Sequence, residues 1–332
     1  MKLKDIDNNG TLQGYVLVKN CDKKITKSGS GYLDLIISDG ENDVVAKIWD
    51  FRGTDEDKPP VNNLILVRGT LGNYNGQPQF KIDRWRGINE GDQINLSDYI
   101  PSAGFEGEDM FSELRNIAGA FRDEQLKKLT QAVLDTYKEK ILTLPAAFKI
   151  HHAVRGGLLM HTLSVCKLAQ AVSALYPSVD RDLLLCGVIL HDIAKSEEFS
   201  LAATGLVEGY TVEGTLIGHL VGGAMIVEEI GKQNGISDET RMLVEHMLVS
   251  HHGLPEYGVA VRPLMLEAEI LSALDTLDAN VYALENTLKN TEKGTFTAKI
   301  WSMEDRKFYN HGRMPISTDV NFDWKITGGK GD

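Results

Sequence analysis

The sequence lacks the features that mark secreted, membrane-spanning and cysteine-based zinc proteins. Its 332 residues contain three cysteines, Cys21, Cys166 and Cys186, and no two of them form a closely spaced pair. Unpaired thiols favour a reducing compartment over a disulfide framework or a zinc ribbon. Residues 1–10 lack the apolar core of a signal peptide, and no apolar run approaches the ~20 residues that span a bilayer. These absences predict a cytoplasmic protein with no membrane partner.

Positive charge is also scarce, and it is unevenly distributed. The formal net charge of −12 argues against strong non-specific binding to nucleic acid. However, residues 1–100 hold 13 Lys or Arg against 15 Asp or Glu, so most of the acidity lies in the remainder. The chain length and an ordinary globular composition predict two domains that differ in character.

The first ninety residues have the pattern of a small β-barrel. Short apolar-rich segments are separated by turn-forming residues such as Asp39-Gly40 and Pro59-Pro60. These segments cover residues 12–18, 32–37, 44–49, 64–71 and 79–85. Five short strands in this length favour a closed oligonucleotide-binding (OB) barrel over a sandwich. We therefore predict an OB-like domain at residues 1–88.

The spacing of apolar residues changes along the chain and divides it into two parts. Residues 89–109 are rich in Gly, Asp, Glu and Asn and are predicted to form a linker. From residue 110 onward, apolar residues recur at three- and four-residue spacing, which is typical of helices. The predicted helices cover residues 111–121, 124–142, 157–175, 182–194, 216–233, 238–248 and 264–288. The predicted fold class is thus α+β multidomain, with an all-α domain at residues 110–332.

Histidines and aspartates lie within or at the ends of these apolar helices. Eight of the nine histidines fall between residues 151 and 252. The candidates are His161, His191, Asp192, His219, His251, His252 and Asp275. A buried unpaired polar group costs about 1–3 kcal/mol, so several helices would not each carry one without a shared partner. A divalent cation is the simplest shared partner.

The residue types indicate which cations fit. Imidazole and carboxylate ligands suit manganese, iron, nickel or zinc, and magnesium remains an alternative. A carboxylate that directly follows a histidine can bridge two ions. Two ions ~3.5–4 Å apart can activate a water and clamp both oxygens of a phosphate ester. The pattern therefore predicts a divalent-metal site held by His and Asp, whose chemistry would suit a phosphate ester.

The order H…HD…H…HH…D resembles the HD-domain phosphohydrolase superfamily. The resemblance implies that a first metal is held by His161, His191, Asp192 and Asp275. It implies a second metal held by His219 and His251 with Asp192 bridging, while the choice between His251 and His252 stays open. Lys195 in HDIAK would face the site and act with Asp192 in catalysis. The alternative is that Lys195 is a surface lysine stabilised by its helix end.

Two further features bear on this resemblance. His151 and His152 precede the first ligand and are predicted to support the site or to contact substrate. In HD-GYP phosphodiesterases, a Glu four residues before the first ligand helps some members bind a third metal. Gly157 occupies that position here, and a GYP motif is missing. This departure weakens the interpretation as a cyclic-dinucleotide phosphodiesterase.

The two halves together resemble the YhaM-type 3′-5′ exoribonucleases of bacteria. The resemblance rests on HHAVRGGLLMHTLSV, HDIAK, SHHG and FTAKIWSMEDRKFY, and on the domain order. It implies a barrel that engages single-stranded RNA, with single-stranded DNA as an alternative. It also implies removal of nucleotides from the 3′ end as monophosphates, supported by manganese.

Aromatic and cationic residues are the candidates for contact with a strand, because bases stack on aromatics and cations follow phosphates. They are Tyr15, Lys19, Trp49, Arg68, Tyr74, Lys81, Trp85 and His152. The alternative is that the aromatics are barrel core or rim and that the cations are scattered. The segment Lys299–Arg313 mixes the same residue types, but we expect it to pack on its own domain.

Two other functions stay open at this point. One is a phosphohydrolase of small nucleotides or cyclic dinucleotides, whose barrel serves regulation or homo-oligomerisation. The other is a single-strand-binding protein with structural metals, which the complete ligand set and Lys195 disfavour. The oligomeric state is not determined by the sequence.

Overall fold

The computed structural model describes residues 10–89, 91–148 and 152–316. The described residues divide into two compact units. The barrel unit comprises the described residues up to Ser102 together with Leu201–Glu208. The helical unit comprises Ala103–Ser200 and the described residues from Gly209 onward. The predicted α+β class is confirmed.

Five strands close the barrel of the first unit. They are β1 (Thr11–Ile25), β2 (Gly31–Ser38), β3 (Asp43–Ile48), β4 (Leu64–Tyr74) and β5 (Gln77–Gly87). The order around the barrel is β1-β2-β3-β5-β4, and every pairing is antiparallel except β3 with β5. The predicted five-stranded OB-like barrel is therefore confirmed.

Alternation of side chains along the strands produces the barrel core. In β2, Leu33, Leu35 and Ile37 are fully buried, while the residues between them lie on the outer face. Val16 of β1 and Phe80 of β5 complete the same core. The pleat thus separates an apolar interior from an outer face that carries Tyr32, Asp34 and Lys47.

The helical unit contains the elements that carry the histidines. Its helices are α1 (Gly107–Gly119), α2 (Glu124–Ile141), α3 (Gly157–Leu175), α4 (Arg181–Leu190), α5 (Lys195–Glu198), α6 (Val212–Leu216), α7 (Gly218–Gln233), α8 (Asp238–Ser250) and α9 (Leu266–Lys289). Short 3-10 turns cover Pro255–Tyr257 and Trp301–Met303 in this unit, and Leu96–Asp98 in the barrel unit. A two-stranded sheet, β6 (Phe199–Leu201) with β7 (Val207–Tyr210), follows α5. These strands of three and four residues are too short to show a strand period in the sequence.

Local signals set the starts of several helices. Asp123 caps α2 by accepting hydrogen bonds from the backbone N–H groups of Gln125 and Leu126. Asp180 and Ser237 do the same for α4 and α8. Such side chains satisfy N–H groups that have no partner within the helix. The caps therefore explain why the predicted and observed helix starts agree closely.

Helix α3 is long and apolar enough to span a bilayer by length and composition alone. Half of its most apolar 18-residue window is buried within the protein, where α3 packs against α4 and α9. It also carries the buried His161. Its apolar character is therefore explained by its position in the core of the helical unit.

Gly69 allows close contact between β4 and β5. A Cβ atom at this position would lie 2.1 Å from the carbonyl oxygen of Lys81 and 2.7 Å from the Phe80 ring. We predict that Gly69→Ala destabilises the barrel by about 1–3 kcal/mol, since the strands must separate to accept the methyl group. Urea unfolding followed by circular dichroism measures the loss.

Gly72 provides the matched control on the same strand. Its nearest neighbour would be the carbonyl oxygen of Gln79 at 3.9 Å, so Gly72→Ala should leave the free energy of unfolding nearly unchanged. Equal effects of the two substitutions would contradict this account of the β4–β5 contact.

Candidate metal centre

Three helices of the helical unit and the ends of two others bring the predicted ligands together. His161 lies in α3, His219 in α7 and Asp275 in α9. The pairs His191-Asp192 and His251-His252 directly follow α4 and α8. His161, His191 and His251 are fully buried, as is nearly all of Asp192. His219 and His252 are partly exposed. The cluster therefore has a closed side and a side open to solvent.

Hydrogen bonds fix the orientation of five imidazole rings through their Nδ1 atoms. Backbone carbonyls accept from three rings: Val188 from His191 at 2.7 Å, Leu248 from His251 at 2.7 Å and Tyr257 from His252 at 3.0 Å. Carboxylates accept from the other two: Asp278 from His161 at 2.7 Å and Glu198 from His219 at 3.0 Å. Because these oxygens can only accept, Nδ1 carries the proton in each neutral ring. All five Nε2 atoms are left as bases.

A first group of ligand atoms surrounds one point. His161 Nε2 lies 3.3 Å from His191 Nε2 and 3.2 Å from Asp275 Oδ1. His191 Nε2 lies 3.3 Å from Asp192 Oδ2. These four donors match the ligand set that the sequence predicted for a first metal.

A second group lies on the other oxygen of the same carboxylate. Asp192 Oδ1 is 3.5 Å from His219 Nε2 and 3.7 Å from His251 Nε2. His252 Nε2 is 3.3 Å from His219 Nε2. His251 and His252 therefore both direct Nε2 toward this group, and the sequence could not distinguish between them. The two oxygens of Asp192 thus face different groups of imidazole nitrogens, as the predicted bridging role would require.

The donor atoms fit cations and do not satisfy one another. Basic Nε2 atoms carry lone pairs, so two of them at 3.3 Å repel unless a positive charge lies between them. Asp192 Oδ1 and His251 Nε2 are buried and have no hydrogen-bond partner among the described residues. Leaving such atoms unpaired is costly, and a bound divalent ion removes the cost at both.

The buried charge is also unbalanced. The carboxylates of Asp192, Asp275, Asp278 and Glu198 lie at the cluster, where the described part of the chain supplies the ammonium of Lys195. Burial raises the pKa of Asp192, but the charge of Lys195 and the contacts with His191 outweigh burial and hold it well below its usual range. The carboxylate of Asp192 therefore remains ionised and needs positive charge beside it.

The pKa shifts of two imidazoles agree with this need for positive charge. Burial, and next the proximity of His191, lower the pKa of His251 well below its usual value. Burial also lowers the pKa of His161, but hydrogen bonds with Asp275 and Asp278 raise it to about 10. The position of His161 Nε2 therefore attracts one positive charge, which a proton or a metal ion can supply.

Lys195 lies inside the cluster. Its Nζ donates to Asp192 Oδ2 at 2.6 Å, and its side chain is buried. It begins α5, immediately after the turn that follows the HD doublet. The structure thus places Lys195 at the site, as predicted, and away from the exposed surface.

Sequence reasoning missed two carboxylates that hold the ligands, Asp278 and Glu198. Asp278 accepts from His161 Nδ1, from His152 Nε2 at 2.9 Å and from the Ser164 hydroxyl. Glu198 accepts from both the ring and the backbone N–H of His219. The available signal was spacing, since Asp278 follows Asp275 by one helical turn and Glu198 follows Lys195 at the same interval.

The residues that precede His161 have a structural role. His152 is buried against Tyr282 and bonded to Asp278, a position that favours support of His161 over contact with a strand. His151 lies outside the described residues. A Cβ atom at Gly157 would lie 1.9 Å from the carbonyl oxygen of His152, so a glutamate does not fit there with this backbone. This contact explains the departure from the HD-GYP pattern.

The predicted strand contacts of the barrel are dispersed. Lys19 and Lys81 are ion-paired with Asp43 and Asp83, and Tyr15 donates to Asp92. Trp85 packs against the barrel core, whereas Tyr74 is largely exposed. Carboxylates therefore neutralise two of the cations that the sequence offered as strand contacts.

Two features of the outer surface remain suited to a strand. Trp49 is partly exposed and stacks on Tyr32, with ring centroids 5.0 Å apart and Lys47 5.2 Å from the Tyr32 ring. Arg68 and Arg84 are exposed and lie directly opposite each other on β4 and β5. Like charges in this position repel, and a bound phosphate would relieve the repulsion. Tyr32 was not among the predicted site residues.

The fold and the histidine cluster define an HD-domain protein. The HD domain family model matches residues 158–280, which include every predicted metal ligand. A second family model, TraI_2, described as a putative helicase, matches residues 107–177, a span that covers α1 to α3 and overlaps the first match. An HD domain implies binding of a divalent metal, and the His and Asp groups described above are placed to hold it.

Relatives of nearly the same length identify the family. The 3′-5′ exoribonuclease YhaM of Listeria welshimeri is 35% identical over 312 residues, covering 93% of this chain and 98% of the relative. That of Geobacillus sp. (strain WCH70) is 38% identical over 309 residues and covers 92% of each chain. That of Bacillus pumilus is 35% identical and covers 89% and 93%. This protein belongs to the family of 3′-5′ exoribonuclease YhaM.

Solved structures resemble part of the chain. A replication protein A heterotrimer bound to ssDNA is 18% identical with a TM-score of 0.20, covering 24% of this chain and 59% of the other. The second OB-fold domain of replication protein A from Methanococcus maripaludis is 13% identical with a TM-score of 0.21, covering 28% and 98%. Scores this low carry no argument about function, so the barrel topology itself defines the OB-like fold.

The carboxylate of Asp278 should raise the affinity of the site for metal. We predict that Asp278→Asn weakens Mn²⁺ binding about 10- to 100-fold, because His161 loses the charged acceptor that orients its ring and raises its basicity. Calorimetric titration of the metal-free protein with Mn²⁺ measures the change. Glu269→Gln, an exposed carboxylate on the same helix, is the matched control. Equal affinities for the two variants would show that Asp278 has no such role.

Proposed function

We propose that this protein is a metal-dependent 3′-5′ exoribonuclease that shortens single-stranded RNA and releases nucleoside monophosphates. The observation that carries the proposal is that the two oxygens of Asp192 face two separate groups of imidazole Nε2 atoms. The named activity of relatives that cover nearly the whole chain supports the choice of substrate.

We assign the ligands of two divalent ions from the two groups. His161, His191, Asp192 and Asp275 hold the first ion, and Asp192, His219, His251 and His252 hold the second. Two such ions supply an activated water and stabilise the oxygens of the phosphodiester. Nitrogen and carboxylate donors without thiolates favour manganese, with iron, nickel, zinc and magnesium as alternatives.

The chain itself orients these ligands and supplies a cation. The Nδ1 hydrogen bonds hold five rings before substrate arrives, so little reorganisation is needed during the reaction. Lys195 offsets the charge of Asp192 and provides a positive group next to the phosphate that is being cleaved. Substrate enters from the side of His219 and His252, because His161, His191 and His251 are fully buried.

The barrel serves as the strand-binding domain of the enzyme. Bases stack on Trp49 and Tyr32, and phosphates lie along Arg68 and Arg84. Neither contact reads the edge of a base, so this binding is expected to be independent of sequence. Binding to single-stranded DNA follows from the same contacts. We assign the enzyme to the cytoplasm, where RNA and free thiols occur together.

The proposal is tested with a 5′-labelled RNA of about 20–30 nucleotides, a length of a few OB site sizes. With Mn²⁺, the wild-type protein should produce a ladder that shortens from the 3′ end. EDTA should stop the reaction, and Asp192→Ala should lower the rate by at least about 10³-fold, because both metal groups lose their shared ligand. Denaturing gel electrophoresis and chromatography of the products provide the measurements.

Glu269→Gln should retain the wild-type rate in the same assay. The wild-type protein could instead leave the strand intact and hydrolyse mononucleotides or cyclic dinucleotides. That result would contradict the exoribonuclease and identify a small-nucleotide phosphohydrolase. Internal fragments in place of a ladder would show an endonuclease.

The facing arginines should have opposite effects on folding and on binding. We predict that Arg84→Gln leaves the barrel as stable as wild type or more stable by up to about 1 kcal/mol, since it removes repulsion with Arg68. The same change should weaken RNA binding and reduce the slope of log K against log salt by about 0.7. Urea unfolding measures the stability, and fluorescence anisotropy at several salt concentrations measures the binding.

Arg115→Gln is the control, because Arg115 is exposed in the helical unit and paired with Asp135. An unchanged salt slope for Arg84→Gln would remove this arginine from the proposed strand path.

A further inference from the structure

The chain continues beyond α9 into a short hairpin, residues 295–310, which we call the terminal hairpin. Bridges join Phe296 with Tyr309 and Ile300 with Arg306. The amide of Asn310 donates to the carbonyl of Thr291 at 2.7 Å, and Asn310 is buried. These bonds fix the hairpin to the end of α9 within the helical unit.

Three aromatic side chains of this hairpin are largely exposed to solvent. Trp301 is 74% exposed, Phe296 63% and Tyr309 50%, while Met303 is the buried anchor. The rings of Phe296 and Tyr309 form a pair with centroids 5.1 Å apart. The sequence had led us to expect that this segment packs on its own domain. The hairpin is attached to that domain through Met303 and Asn310, but it also displays rings whose exposure to water is unfavourable, as at a binding surface.

Cations accompany these rings. Residues 290–316 hold five Lys or Arg against three Asp or Glu, in a chain whose net charge is −12. Arg306 lies 5.3 Å over the Phe308 ring, donates Nε–H to the carbonyl of Met303 at 2.9 Å and has Glu304 3.9 Å away, so its position is defined. Exposed aromatics interleaved with cations match single-stranded nucleic acid, which offers flat bases and negative phosphates.

A second copy of the chain fits this surface less well. A symmetric dimer would place the same positive patch of each chain against its copy. The excess of positive charge would then repel itself, whereas RNA neutralises it.

We propose that the terminal hairpin is a second binding element for single-stranded RNA, located on the catalytic unit and distinct from the barrel. This inference rests on the proposed exoribonuclease function. The metal ligand Asp275 and Lys289, the last residue of α9, are about 21 Å apart along the helix at 1.5 Å per residue. A strand whose 3′ end is at the metal site therefore reaches the hairpin only if it is several nucleotides long.

Binding by full-length protein carrying Asp192→Ala tests the inference without loss of substrate. Fluorescence anisotropy is measured with RNA of about 20 nucleotides and with a dinucleotide. Adding Trp301→Ala should raise the Kd for the long RNA by about 5- to 150-fold and leave the dinucleotide unchanged. Adding Arg306→Gln with Lys307→Gln should reduce the salt slope by about 1.4. Tyr176→Ala, an exposed aromatic at the end of α3, should have no effect.

The remaining outcomes separate the alternatives. An unchanged Kd for the long RNA, or an equal loss on both lengths, would overturn the inference. Loss of a dimer in Trp301→Ala, seen by light scattering with unchanged affinity per chain, would assign the surface to self-association and also overturn it. If the catalytically intact protein fails to degrade RNA but Trp301→Ala still weakens binding of the long strand, the proposed function fails and the binding element stands.

Discussion

A buried imidazole needs a partner for each of its two nitrogens, and this constraint organises the helical unit. Five rings satisfy Nδ1 within the protein and leave Nε2 as a base at the centre. Two of the acceptors, Val188 and Leu248, lie in the last turn of α4 and α8, where carbonyls lack partners within the helix. The HD and HH doublets at these helix ends therefore have two effects. Their imidazoles donate Nδ1–H to terminal carbonyls and direct basic Nε2 atoms toward the same site.

The consequence is a site whose electrostatics require cations. Ionised carboxylates and basic nitrogens face one another at separations of 3.2–3.9 Å without hydrogens between most of them. In the metal-free protein these electron-rich groups repel one another. A bound cation removes that repulsion, which favours metal binding. This arrangement also explains why Asp278 and Glu198, which touch no proposed ion, matter to the site. They hold His161 and His219 in the orientation that the ions need.

The barrel and the metal ligands could be predicted from the sequence because both leave periodic or ordered signals. The alternation in β2 and the helical spacing around His161 are local patterns, and the ordered set of polar residues in apolar helices points to one shared partner. The rest depends on tertiary contacts. Ion pairs such as Lys19 with Asp43 removed cations from the predicted strand path, and the stacking of Trp49 on Tyr32 joins residues of separate elements. The β6–β7 strands were too short to show a period.

The central claim is that Asp192 bridges two metal ions, and electron paramagnetic resonance of the Mn²⁺-saturated protein tests it most directly. Two ions ~3.5–4 Å apart and joined by a carboxylate couple magnetically. The account predicts the broad spectrum of a coupled Mn²⁺ pair, and its replacement in Asp192→Ala by isolated ions or by the loss of bound metal. A six-line spectrum of isolated ions in the saturated wild-type protein would contradict it.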